Sequence, residues 1–193
     1  MPLNIPNLLT WFRILMIPVF IAIFYLPDEM LNMHGKHLVS TLLFIAASIT
    51  DWLDGYLART LNQTSAFGAF LDPVADKLMV SAALIVLVKL GYVDALIAFI
   101  IIGREIAISA LREWMAQLGN SKSVAVSMLG KVKTSFQMLA IVLLLYHDAI
   151  LGVPADFWGT PLILIAALLT LWSMAYYLML AVPQISKKGD HKN

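Results

Sequence analysis

From Phe157 to Ser186 the chain carries no charged side chain. Roughly 20 mostly apolar residues suffice for a helix to cross a bilayer, so this one segment already separates the chain from ordinary soluble folds. The composition agrees. Of 193 residues, 61% are hydrophobic and 13% are charged, against about 45–50% and about 25% in soluble domains. Ten Gly and eight Pro are too few for a disordered or collagen-like chain. With no cysteine, disulfide frameworks, thiolate metal sites and a Cys nucleophile are excluded. A net charge of +1 gives no reason to expect a nucleic-acid partner.

Six stretches can be drawn as spans, at about 8–27, 38–59, 70–90, 93–113, 130–147 and 159–182. They predict an all-α, polytopic membrane protein of six transmembrane helices, forming a single integral-membrane domain over residues 1–193. Asn4-Ile5-Pro6-Asn7 is expected as a short interfacial entry to the first span, and Met1–Thr10 has no basic region or cleavage site of a removable signal. With six spans, Arg13, Arg59, Lys77, Arg104, Arg112, Lys122, Lys131, Lys133, Lys187, Lys188 and Lys192 fall on one side, leaving Lys36 and Lys89 on the other. The positive-inside rule then puts both termini in the cytoplasm. His34, His37 and His147 are expected at the outer surface, Trp and Tyr residues in interfacial belts, and the ten Met residues as core filling.

The middle stretches reach spanning length only by taking in Asp51 and Asp54, Asp72 and Asp76, or Arg104 and Glu105. Charges at membrane depth are costly, and they persist facing a wet cavity, a metal or one another. Asp51 and Asp54 share a helix face at the end of span two, as do Asp72 and Asp76 at the start of span three. The short polar loop between them makes the two helices antiparallel neighbours, so four carboxylates converge. Such a set is repulsive unless protonated or bound to cations. An all-oxygen donor set suits hard ions, Mg²⁺ first and Mn²⁺ second, and two such ions suit phosphoryl chemistry. Gly55 leaves room for a close ligand, and Arg59 can offer its fork to a phosphate.

Asp51-x2-Asp54-Gly55-x2-Ala58-Arg59-x8-Gly68-x3-Asp72-x3-Asp76 resembles, without a departure, the signature of the CDP-alcohol phosphotransferases. The resemblance covers nearly the whole chain, since Pro6-Asn7-x-Leu9-Thr10-x-x-Arg13 and the six-span layout are also similar to that family's bacterial members. It implies that Asp51, Asp54, Asp72 and Asp76 bind two divalent ions, and that Asp76 is also the catalytic general base. It further implies that Asn7, Thr10, Gly55, Arg59 and Ser65 serve the CDP-diacylglycerol site. A homodimer in the bacterial inner membrane, with its active site on the cytoplasmic side, is expected on the same ground.

Family members share the donor and differ in the acceptor alcohol. Arg104 and Arg112 lie eight residues apart on one stretch, and Lys131 and Lys133 open the next. Arg104-Glu105-Ile106, Leu111-Arg112-Glu113 and Gly130-Lys131-x-Lys133-Thr134 are similar to what glycerophosphate-using members carry, which implies that these four cations bind an acceptor phosphate. The expected reaction moves a phosphatidyl group from CDP-diacylglycerol to sn-glycerol 3-phosphate. A purely structural network, with Glu105 and Glu113 as the partners of these cations, is the other reading of the same residues. Other acceptors such as inositol phosphate or phosphatidylglycerol, and more remotely a divalent-cation transporter, remain as alternatives for the whole chain.

Overall fold

The computed structural model describes residues 5–60, 66–117, 128–150 and 152–189. Six helices account for almost all of them: α1 (Ile5–Ile23), α2 (Met33–Thr60), α3 (Ala66–Lys89), α4 (Ala95–Gln117), α5 (Met128–Tyr146) and α6 (Ala155–Gly189). The all-α class is therefore as expected, and the helices follow the six apolar stretches in order. Three local features depart from the expected layout. Ile5–Asn7 continue into α1 without a separate entry segment, and α1 stops at Ile23, giving way to turns ahead of Pro27. Between α5 and α6 a two-stranded hairpin appears, β1 (Ala149–Ile150) paired antiparallel with β2 (Val153–Pro154). Its connection carries Gly152 at φ +81°, a left-handed backbone that glycine adopts without a Cβ clash.

By length and apolarity together, Ala155–Tyr176 in α6 is the stretch among the described residues that qualifies as a membrane span. Leu8–Ile23 and Lys133–Tyr146 are apolar but shorter. The bundle nevertheless presents large apolar side chains outward from several helices, including Leu15, Ile85, Phe99, Leu168 and Trp172. Apolar patches of this extent on a soluble surface would mark association sites.

Helix α1 packs against both α2 and α3, α5 lies against α6 and α2, and α4 bridges α3 and α6. The core they enclose is apolar, with Phe20, Phe44, Leu84, Leu87, Ile141, Leu144 and Leu145 wholly buried. Gly159 lets α6 approach α5 closely, since a Cβ there would lie 2.7 Å from Leu144 Cγ.

At the end of the bundle opposite the aspartates three histidines gather, with His34 exposed as expected and His37 drawn into the interior. His37, expected in a surface loop, sits within α2 and is buried, because Tyr92 and His147 close over it. Tyr92 stacks on His147 with ring centroids 3.7 Å apart, and its hydroxyl lies 3.2 Å from His37 Nε2. His34 meets Asp148 at 2.7 Å.

His37 precedes the 38–59 stretch, outside the apolar span. Burial, and after it the neighbouring His147, hold its imidazole below the ordinary value, with Asp148 opposing and His34 adding to the depression. As pH falls through about 6.5, the unfolded chain takes up a proton that the folded chain resists, so stability rises with pH across that window and falls on acidification. Thermal unfolding in detergent should therefore occur at lower temperature at pH of about 5.5 than of about 7.5. His37→Gln should flatten that dependence, and an unchanged slope in the variant would locate the acid sensitivity elsewhere.

Candidate active site

Helix α1 carries one charged residue, Arg13, within its 19 residues, and that guanidinium is 1% exposed. A buried cation in an apolar helix needs anions, and it finds two. Arg13 Nη1 donates to Asp51 Oδ1 at 2.6 Å, and Nη2 donates to Asp54 Oδ2 at 2.5 Å. Because Asp51 and Asp54 are three residues apart on α2, both carboxylates face α1, and the planar fork can serve one with each arm. Asp54 is buried with its partner, while Asp51 is 43% exposed.

One turn earlier on α1, the Thr10 hydroxyl donates to Asp72 Oδ1 on α3. The four aspartates are thus brought to one end of the bundle, with α1 inserted between the pairs. Among the described residues, no three carboxylates or histidines share a single ion-binding point. Asp51 and Asp54 turn to Arg13, and Asp72 turns to Thr10. The donor set is nonetheless all oxygen, with no nitrogen or sulfur ligand in the cluster, which matches the chemistry of Mg²⁺ or Mn²⁺. Arg13 sets one positive charge against Asp51 and Asp54.

Asp76, one turn beyond Asp72, borders two cavities. The first is lined by Arg13, Phe44, Ala47, Ser48, Met79, Val80 and Met138 besides Asp76. The second is an open cavity between α3, α4 and α5, walled by Asp76, Lys77, Glu105, Thr134 and Gln137 among its polar residues. Asp76 is therefore the carboxylate that joins the aspartate cluster to a second polar site.

That second site is built around Glu105. Lys133 Nζ donates to Glu105 Oε1 at 2.5 Å, and Arg104 Nη1 donates to the same oxygen at 3.1 Å. Arg104 Nη2 donates to Ser173 Oγ on α6 at 3.0 Å. Lys133 and Arg104 are both buried, at 1% and 7% exposed. Glu105, and neither of the two cations, lines the open cavity. The ion pairing of these residues that the sequence left open is thus present, with Glu105 as the anion.

Of the other expected site residues, Asn7, Gly55, Arg59, Arg112 and Lys131 lie on helices α1, α2, α2, α4 and α5, with side-chain positions outside the described set. Ser65 lies outside the described residues. In the sequence Arg13 is a cytoplasmic charge and the last residue of the N-terminal motif, and a lone cation in an otherwise uncharged span is the signal that it faces the aspartates. Glu105 is legible as a charge at membrane depth and as a possible partner of basic residues, and Gln137 gives no signal at all.

The sequence profile of the CDP-alcohol phosphatidyltransferases matches residues 3–182. The chain belongs to the CDP-alcohol phosphatidyltransferase family. It is 50% identical over 183 residues to a Salmonella typhimurium protein named CDP-diacylglycerol–glycerol-3-phosphate 3-phosphatidyltransferase, covering 94% of this chain and 96% of that one. An Escherichia coli protein of the same name is 48% identical with the same coverage. In this CDP-alcohol phosphatidyltransferase, three of the family's aspartates, Asp51, Asp54 and Asp72, are held from outside their own motif, by two residues of α1.

Arg13→Gln would leave Asp54 buried without its charge partner. Removing one member of a buried pair typically costs about 3–5 kcal/mol, and the exposure of Asp51 limits the loss to the Asp54 side. Thermal or denaturant unfolding in detergent with chelator present should show that destabilisation, and adding Asp54→Asn to Arg13→Gln should recover part of it. A fully additive double variant would mean that the two groups do not interact.

Proposed function

We propose that this protein transfers a phosphatidyl group from CDP-diacylglycerol to sn-glycerol 3-phosphate, giving phosphatidylglycerophosphate and CMP. The relatives named for this reaction support the reading. The position of Asp76 carries it, because one carboxylate borders both the aspartate cluster and an open cavity walled by polar residues. The six helices would span the bacterial inner membrane as a homodimer, with both termini and the aspartates at the cytoplasmic side. The outward-facing apolar residues and the distribution of basic charge favour that placement.

Asp51, Asp54, Asp72 and Asp76 would hold two Mg²⁺ or Mn²⁺ ions, which supply charge neutralisation to the donor's pyrophosphate when bound. Asn7, Thr10, Gly55, Arg59 and Ser65 would line the CDP end. Asp76 accepts the proton of the acceptor's primary hydroxyl as that oxygen attacks the β-phosphorus. The bond to the CMP oxygen breaks, and CMP leaves toward the cytoplasm. Arg104, Arg112, Lys131 and Lys133 would bind the acceptor phosphate, which competes with Glu105 for Lys133 and Arg104. A phosphate on the acceptor gives these cations a partner that serine or choline would lack.

Purified protein supplied with CDP-diacylglycerol and a panel of labelled alcohols should label glycerol 3-phosphate preferentially. Turnover should disappear in excess chelator and return with Mg²⁺ or Mn²⁺. Transfer to inositol phosphate or phosphatidylglycerol in its place would replace the acceptor, and full activity in chelator would remove the ions.

Two substitutions separate the two ends of the site. Asp76→Asn should lower kcat by at least the roughly 10²–10⁴-fold expected of general-base loss. Lys133→Gln removes one charge-assisted contact, worth about 1.5–3 kcal/mol, so acceptor kcat/KM should fall roughly 10–150-fold with little change for the donor. Saturation curves for each substrate check both, and a donor-specific defect in Lys133→Gln would contradict the assignment.

A further inference from the structure

Gln137 on α5 is 3% exposed, and its Oε1 has no hydrogen-bond partner among the described residues. An unsatisfied buried amide is destabilising, and native structures carry few of them. Gln137 is itself among the residues that line the same open cavity as Asp76 and Thr134. It also lies four residues after Lys133, on the same face of α5. A cation and an amide thus stand about 6 Å apart along the axis of α5, on the scale of a three-carbon alcohol phosphate, with Glu105 as the cation's partner at the cavity wall.

We propose that Gln137 is a specificity residue for the acceptor, accepting a hydrogen bond from the secondary hydroxyl of glycerol 3-phosphate. The primary hydroxyl then lies toward Asp76 across the cavity, and the phosphate toward Lys133. A hydroxyl fits this position because it both donates and accepts, so it satisfies the amide in either orientation. An ionised phosphate oxygen only accepts, and could not satisfy Oε1. The proposal rests on the acceptor reading above and deepens it by naming what distinguishes one three-carbon alcohol from another. A site that hydrogen-bonds a substrate hydroxyl rejects the analogue lacking it, because its own buried group is then left unpaired.

The test compares sn-glycerol 3-phosphate with 3-hydroxypropyl phosphate, which lacks the secondary hydroxyl, in the intact protein and in Gln137→Met. The unsubstituted protein should favour glycerol 3-phosphate by at least about tenfold in kcat/KM, equivalent to about 1.4 kcal/mol. In Gln137→Met that preference should collapse, through loss on glycerol 3-phosphate and little change on the deoxy substrate. The KM for CDP-diacylglycerol should hold, and the unfolding temperature should not fall, since the variant removes an unsatisfied group. Indifference of the unsubstituted protein to the secondary hydroxyl overturns the proposal without any variant. Equal losses on both substrates in Gln137→Met overturn it as well, while leaving glycerol 3-phosphate as the acceptor. If the unsubstituted protein uses neither phosphate but another alcohol of the panel, the acceptor reading itself fails, and this proposal falls with it.

Discussion

The contact between Arg13 and the two aspartates of α2 governs how this bundle can be arranged. A guanidinium that is 1% exposed has left water entirely, and only a close, well-directed anion offsets that cost. Asp51 and Asp54 provide two, each taking one arm of the fork. Once α1 is fixed to α2 in this way, Thr10 reaches Asp72 and ties the same helix to α3. Two pairs of carboxylates that would repel each other as bare anions are thereby assembled at one end of the molecule before any ligand arrives. A bound cation would enter a site that already holds one, so its affinity must include the cost of drawing Asp51 and Asp54 away from Arg13.

The same principle recurs across α4, α5 and α6. Lys133 and Arg104 are buried because Glu105 lies between them, and Arg104 reaches on to Ser173. In each cluster buried charges of opposite sign lie against one another, and the apolar core around Phe20, Phe44 and Leu144 occupies the space beyond them. Asp76 stands between the clusters, so a ligand that disturbs either one changes the field at the same carboxylate. On the proposed reading, a phosphate would gain from Lys133 only what remains after it has displaced Glu105.

What the amino-acid sequence discloses here follows from how local each signal is. Helix number and order were legible, because an apolar stretch reports its own burial. The spacing of Asp51, Asp54, Asp72 and Asp76 was equally legible, because residues three or four apart share a face whatever the rest of the chain does. The partners of those aspartates were not. Arg13 lies 38 and 41 residues from Asp51 and Asp54, and Thr10 lies 62 from Asp72, and no periodicity connects such distant positions. The histidine cluster was hidden for the same reason, since His37, Tyr92 and His147 come from three separate segments. The hairpin at Ala149–Pro154 is too short to leave a pattern of alternation. Gln137 looks like any lone polar residue in the middle of a helix until the cavity beside it is known.

On the proposed reading, these features answer a problem set by the substrates. The donor is a lipid with a charged head and the acceptor is a small soluble anion, so the site must open to the hydrocarbon and to water at once. An apolar exterior lets the acyl chains stay in lipid, while the polar end of the bundle handles the phosphates. Leaving many charges exposed there would hold water, and water competes with the acceptor for the β-phosphorus. Pairing Arg13, Lys133 and Arg104 internally keeps them buried until a phosphate of matching charge can take over a partner's place. The carboxylate that receives the proton, Asp76, sits where the two exchanges meet, which makes both substrates necessary before the chemistry has a reason to proceed.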